Sequence, residues 1–217
     1  MGESRATLAI EDVRFAYGKS TTDLFGGLSH EFGPGTVTAV TAPSGRGKST
    51  LLYILGLMLT PTAGEVIFNG RPISGLPDAE RSSVRNASIG FVFQDAALDP
   101  RRTLIDNVVE PALYRGDRRK DAADRALTLL DSVGLSDHAT KRPTAISGGQ
   151  AQRVAFCRAL VNGPSVILAD EPTGNLDPDN SERLLTLLRA AAHRGSTVVI
   201  ATHDPRVVDR ADARWAI

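Results

Sequence analysis

The sequence predicts an α/β fold built on a mainly parallel sheet, and two features predict it. The first is the run from an apolar strand, Thr36-Val37-Thr38-Ala39-Val40-Thr41, through Ala42-Pro43-Ser44-Gly45-Arg46-Gly47-Lys48-Ser49-Thr50 into a leucine-rich helical stretch over residues 49–58. Strand, glycine-rich loop and helix, in that order, set backbone N–H groups and a helix N-terminus around a phosphate. The second is a set of apolar strands at residues 89–93, 166–169 and 197–202, which end at or beside Gln94, Asp170 and His203. In parallel α/β sheets, ligand-binding groups gather at the carboxyl ends of strands. These three polar residues therefore read as one constellation.

The other elements follow in chain order. Residues 7–17 alternate loosely and include Val13, Phe15 and Tyr17, which predicts a strand. Gly33-Pro34-Gly35 marks a turn, and residues 64–68 read as another short strand. From Asp95 to Thr144 the strand signal disappears. Residues 121–133 instead have helical spacing through Ala122, Ala126, Leu129, Leu130 and Val133, so this stretch reads as an inserted helical lobe. The charge run at residues 115–120 reads as a solvated helix start or loop. Ser147 and Gly149 open a further helix that runs through Arg153 to Leu160.

Composition bounds the function. At 217 residues, with 41% hydrophobic and 23% charged residues, the chain can bury one substantial core plus a small lobe. Lys+Arg and Asp+Glu number 25 each, which weighs against a dedicated nucleic-acid binder. Cys157, the single cysteine, permits no internal disulfide; within Val154-Ala155-Phe156-Cys157 it reads as a small buried hydrophobe. Residues 51–59 are the longest apolar stretch, far short of the roughly 20 residues of a membrane helix, and Met1-Gly2-Glu3-Ser4-Arg5 lacks the apolar centre of a signal peptide. The expectation is a cytosolic chain, with any membrane span supplied by another polypeptide. His30, His138 and His193 lack convergent partners and read as packing or surface residues.

The loop at residues 42–50 fits the pattern G-x-x-x-x-G-K-[ST] except at its first position, where Ala42 replaces glycine. Gly45 and Gly47 let N–H groups turn toward phosphate oxygens, Lys48 can reach β- and γ-phosphates, and the Ser49 hydroxyl can ligate Mg²⁺. Ala42 precedes Pro43, which favours an extended backbone in which a β-carbon is tolerated. Val166-Ile167-Leu168-Ala169-Asp170-Glu171 delivers two adjacent carboxylates: Asp170 is placed to hold Mg²⁺ and Glu171 to polarise a water. A small-molecule kinase would use such a carboxylate to activate a substrate hydroxyl, so the pair alone does not separate hydrolysis from transfer.

With Ile146-Ser147-Gly148-Gly149-Gln150, the chain resembles the ABC transporter ATPase family, whose signature loop reads Leu-Ser-Gly-Gly-Gln. The resemblance covers essentially the whole chain, with its motifs in family order. It implies a P-loop NTPase core over residues 1–94 and 145–217, with an N-terminal antiparallel β-subdomain, and a mainly helical subdomain over residues 95–144. It implies ATP and Mg²⁺ as cofactors. Tyr17 would stack on adenine; Ser44, Gly45, Arg46, Gly47, Lys48, Ser49 and Thr50 would bind the phosphates. Gln94 would act near the metal and link the site to a transmembrane permease, Asp170 would hold Mg²⁺, Glu171 would be the catalytic carboxylate and His203 the switch histidine. Ser147, Gly148, Gly149 and Gln150 would face the nucleotide of a second copy in a head-to-tail dimer, with Asp177 in the Gly174-Asn175-Leu176-Asp177 loop beside it. The implied location is the cytoplasm, at the inner face of the membrane through the permease.

Glu171-Pro172-Thr173-Gly174-Asn175-Leu176-Asp177 and Phe91-Val92-Phe93-Gln94 look like the branch serving lipoprotein release, macrolide export and antimicrobial-peptide resistance. The competing reading is a mechanical clamp on DNA or ribosomes. It lacks support, because no coiled-coil insertion, zinc module or tandem repeat is visible. A kinase leaves residues 146–150 and His203 unexplained.

Overall fold

A computed structural model, which describes residues 7–18, 22–43, 45–174 and 176–217, contains two sheets and a helical lobe. Ser44 and Asn175, both in the motifs above, lie outside the described residues, as does the polar N-terminal segment.

The larger sheet has five parallel strands in the order β6-β7-β8-β3-β9. They are β3 (Val37–Thr41), β6 (Ile89–Val92), β7 (Val166–Asp170), β8 (Thr197–Ala201) and β9 (Ala213–Ala216). The parallel registers, with Asp170 opposite Ala201 and Val40 opposite Ala201, bring the carboxyl ends of β7, β8 and β3 to one edge. Central strands β7 and β8 are buried throughout, as continuous apolar runs in a doubly covered sheet require. Their side chains alternate between two cores. Val166, Leu168 and Val199 face a cluster with helix α1 (Lys48–Leu55), while Ile167, Ala169, Val198 and Ile200 face Leu184 and Leu188 of α6 (Pro178–His193).

The smaller sheet is antiparallel, in the order β2-β1-β4-β5: β1 (Leu8–Arg14), β2 (Leu28–Phe32), β4 (Ala63–Phe68) and β5 (Arg71–Pro72). Strand β1 bulges between Glu11 and Arg14, where Asp12 takes φ 45°. Opposite it, Gly64 has φ 80°, and a β-carbon there would lie 2.3 Å from the Asp12 carbonyl oxygen, so only glycine fits.

Residues 89–132 add α3 (Leu104–Tyr114) and α4 (Arg119–Ser132) after β6, and α5 (Gly148–Leu160) returns the chain to β7. Leu104, Val108, Ala126 and Leu130 pack on Val154 and Cys157 of α5 and on Val161 just after it. Cys157 is fully buried and its thiol pKa is pushed up to about 12 by burial, in keeping with a small inert hydrophobe. The charge run opens α4, and Asp117 pairs there with Arg115 at 2.7 Å and with Arg125. Helix α2 (Asp78–Ser88) and strands β2, β5 and β9 carry no pattern that the sequence reading recognised. Helix α2 fully buries no side chain, so it has no clear apolar stripe to detect. A last short helix, α7 (Pro205–Arg210), leads into β9. His30 stacks on Trp215 at 4.3 Å and thereby joins β2 to β9, a packing role.

Candidate active site

The loop between β3 and α1 ends on Gly47, which takes φ 93° at the helix N-cap. A β-carbon at Gly47 would come within 2.6 Å of Leu24 and 2.8 Å of Phe25, so the loop closes tightly over these two side chains. Among the described residues no side chain caps the N-terminus of α1, and no acidic residue lies in its first turn. Its N–H groups are therefore open to an anion. Gly45 takes φ 77° and faces open space, and Arg46 is exposed. Ala42 is not among the described residues with positive φ, which agrees with the extended backbone expected before Pro43.

Lys48 Nζ donates to the Ala42 carbonyl oxygen at 3.2 Å and lies 3.9 Å from Glu171 Oε1. The ammonium is thus parked across the loop and against the first residue after β7. Glu171 itself takes φ 42°, a left-handed conformation unusual for a residue with a β-carbon. Its carboxylate is held at both oxygens. Nδ1 of His203 donates to Oε1 at 2.7 Å; the Thr202 hydroxyl at 3.1 Å and the His203 N–H at 3.3 Å donate to Oε2. The contact requires a proton on Nδ1 and leaves the Nε2 edge of the ring outside it. Thr202 was missed by sequence reasoning. The only signal for it is its place beside His203 at the end of a buried strand.

Asp170 is 2% exposed at the end of β7. Burial pushes its pKa up; a hydrogen bond with the Ser49 side chain and the Lys48 charge act the other way, while Glu171 adds to the rise. Among the described residues, Oδ1 of Asp170 is buried without a hydrogen-bond partner. Among the described residues no three His, Cys, Asp or Glu side chains converge on a metal position. A carboxylate oxygen lacking a partner beside a serine hydroxyl fits instead a hard divalent cation that takes its remaining oxygens from phosphate and water.

Tyr17 is 57% exposed, and its ring meets Phe15 edge-on at 4.8 Å. Its hydroxyl is hydrogen-bonded to the Thr50 hydroxyl at 2.6 Å, so it stands against the start of α1. Gln94 is exposed, two residues beyond β6.

Residues 147–150 form a separate anion-competent turn. Ser147 caps α5 by accepting from the Gln150 N–H at 3.2 Å, and the Gln150 side chain accepts from the Ser147 N–H at 2.9 Å. The Gly148 and Gly149 N–H groups belong to the first turn and have no intrahelical partner of their own. Gly149 approaches Leu176, and Asp177 caps α6 by accepting from the Asn180 N–H at 2.9 Å. The cluster of Lys48, Glu171 and His203 is built without these residues.

Comparison with known proteins agrees with this geometry. The family model described as ABC transporter matches residues 25–174, and a model of an AAA domain matches residues 142–209. The lipoprotein-releasing system ATP-binding protein LolD of Nitrobacter hamburgensis is 43% identical over 211 residues, covering 96% of this chain and 91% of its own length. An ABC transporter ATP-binding protein of Thermotoga maritima is 46% identical over 192 residues, covering 88% of this chain and 82% of its own. Among solved structures, the ATP-binding cassette MJ0796, in a dimeric post-hydrolysis state bound to ADP and Pi, superposes with a TM-score of 0.90 at 33% identity; the match covers 97% of this chain and 94% of that one.

Proposed function

The chain belongs to the ABC transporter ATPase family, and from that premise we propose how its residues divide the work of an ATP-hydrolysing subunit that powers a transmembrane permease. The ATP-binding and ATPase activity is that of the family. The division of labour rests on one observation: Lys48, Glu171 and His203 converge within hydrogen-bond or ion-pair reach at the mouth of the phosphate-type loop.

In this reading Gly45, Arg46, Gly47 and Thr50, with Ser44, bind the phosphates, and Lys48 leaves Glu171 to sit between β- and γ-phosphates. Tyr17 swings off Thr50 to stack on adenine. Ser49 and Asp170 hold Mg²⁺, with Gln94 beside it; the ion supplies charge neutralisation at the phosphates. Glu171 accepts a proton from the attacking water, and His203 lies on the γ-phosphate side, where a protonated ring nitrogen donates to a phosphate oxygen. The unpaired N–H groups of Gly148 and Gly149, with Ser147 and Gln150, contact the γ-phosphate held by a second copy, and Asp177 lies along that junction. One chain already has a phosphate loop, so a second anion-competent turn is best used on a partner's nucleotide. The division into a core over residues 1–94 and 145–217 and a helical subdomain over residues 95–144 belongs to the same reading.

The permease docks in a groove of about 960 Å³ lined by Met58, Phe91, Phe93, Tyr114 and Arg158. Met58 and Tyr114 are exposed there although large and apolar, at 37% and 74%. Among the described residues no helix is long and apolar enough to cross a membrane, so the span belongs to that partner. We place the chain at the cytoplasmic face of the membrane and, on its likeness to lipoprotein-releasing subunits, in export. Phosphate release from Mg-ATP by the purified chain, abolished in Glu171→Gln, tests the reading; turnover undiminished in that variant overturns it.

A further inference from the structure

The loop that carries Gln94 is bent sharply and held from one side. Ala96 and Ala97 take φ 59° and 48°, two consecutive left-handed residues that each carry a β-carbon. Such a backbone costs about 1–2 kcal/mol per residue and persists only where surrounding contacts impose it. The imposing contacts come from α5. Arg158 Nη2 donates to the Ala96 carbonyl oxygen at 2.8 Å and Nη1 to that of Ala97 at 2.7 Å. Upstream of Gln94, Nε2 of Gln152 donates to the Phe93 carbonyl oxygen at 2.9 Å, from a side chain that is 2% exposed.

The Gln94 loop is therefore tied on both flanks to the helix whose first turn is residues 147–150. The Arg158 guanidinium is partly buried in making these bonds: burial lowers its pKa, and the charge of Glu110 acts the other way. A planar fork can serve two adjacent carbonyls at once; an ammonium on a flexible stem cannot hold both in that geometry. Phe93, Ala97, Glu110 and Arg158 also line the large groove, so the clamp forms part of its wall.

We propose that Arg158 is a positioning residue, which locks the strained Ala96-Ala97 turn so that Gln94 and the 147–150 turn are carried as one rigid unit. A push on the groove wall is then delivered to the N-terminus of α5 without slack. The proposal rests on the ATPase reading above, and the test separates the two. Steady-state phosphate release is measured for the natural chain, for Arg158→Lys, and for Arg158→Lys combined with Ala96→Gly and Ala97→Gly, with thermal melts of each.

The expected result is a roughly tenfold lower kcat in Arg158→Lys with KM for ATP within about twofold, the size of effect that loss of one charge-assisted hydrogen bond implies. The two glycines adopt positive φ without strain and should restore much of that loss. An unchanged kcat in Arg158→Lys overturns the proposal. So does a loss that the glycines leave untouched, since Arg158 would then act through something other than the turn. If the natural chain itself releases no phosphate, the ATPase reading fails first.

Discussion

Glu171 and His203 meet at 2.7 Å, carboxylate Oε1 to imidazole Nδ1, although 32 residues separate them in the chain. The contact is made by the ends of β7 and β8, which pair in parallel with Asp170 opposite Ala201. Thr202 completes it from the same strand end by donating to the other carboxylate oxygen. The carboxylate is thus oriented by the sheet itself, before any ligand arrives.

Removing one of those donors should loosen that orientation. Thr202→Val keeps the shape of a fully buried side chain and deletes one hydrogen bond to a charged group, worth about 1.5–3 kcal/mol, together with the bond its hydroxyl accepts from the Asp204 N–H at 3.0 Å. Turnover should fall by about tenfold or more while ATP affinity stays nearly constant, read from steady-state kinetics beside equilibrium binding.

The backbone at Glu171 should reveal its strain. With φ at 42°, a β-carbon costs about 1–2 kcal/mol that glycine avoids. Glu171→Gly should therefore melt about 2–4 °C or more above Glu171→Ala, with both expected to lose turnover. Equal melting temperatures would mean that position 171 carries no strain.

Ala42→Gly should change nucleotide affinity by less than about tenfold, because the residue lacks the positive φ at which a β-carbon is penalised. Lys48 also donates to the carbonyl oxygen of position 42, which glycine retains. Isothermal titration with ATP reads the difference directly; a larger gain would expose a strained loop.

Asp117 gives the helical lobe an acid-sensitive tie. Hydrogen bonds and charge from Arg115, and then Arg125, hold its pKa down at about 2. A carboxylate with a lowered folded pKa contributes stability above its unfolded pKa of 3.8, and loses it as pH falls through about 2. Asp117→Asn should therefore be less stable than the natural chain at pH 7, with the gap narrowing below pH about 4. Urea melts at pH 7, 4 and 3 test the sign.

The parts legible in the sequence were those whose signal is local. The β3–loop–α1 unit announces itself through Gly45, Gly47 and Lys48 in one run, and β6, β7 and β8 through short apolar blocks ending in polar residues. Strand β9 is largely exposed and α2 fully buries no side chain, with Val84 half-buried against the core, so neither leaves a clear apolar pattern. Contacts between distant segments were not legible either. Tyr17 reaches Thr50 across 33 residues, and Arg158 reaches Ala97 across 61. Such pairs depend on how sheets and helices stack, and residue type alone does not select them.

In the proposed dimer each ATP is shared between the phosphate loop of one copy and the 147–150 turn of another. The most direct measurement is sedimentation of Glu171→Gln with saturating Mg-ATP, with Mg-ADP, and with Ser147→Phe added. A mass of two chains in Mg-ATP alone, reverting to one chain with Mg-ADP or with Ser147→Phe, is the predicted result. A single chain under all three conditions would contradict the shared site.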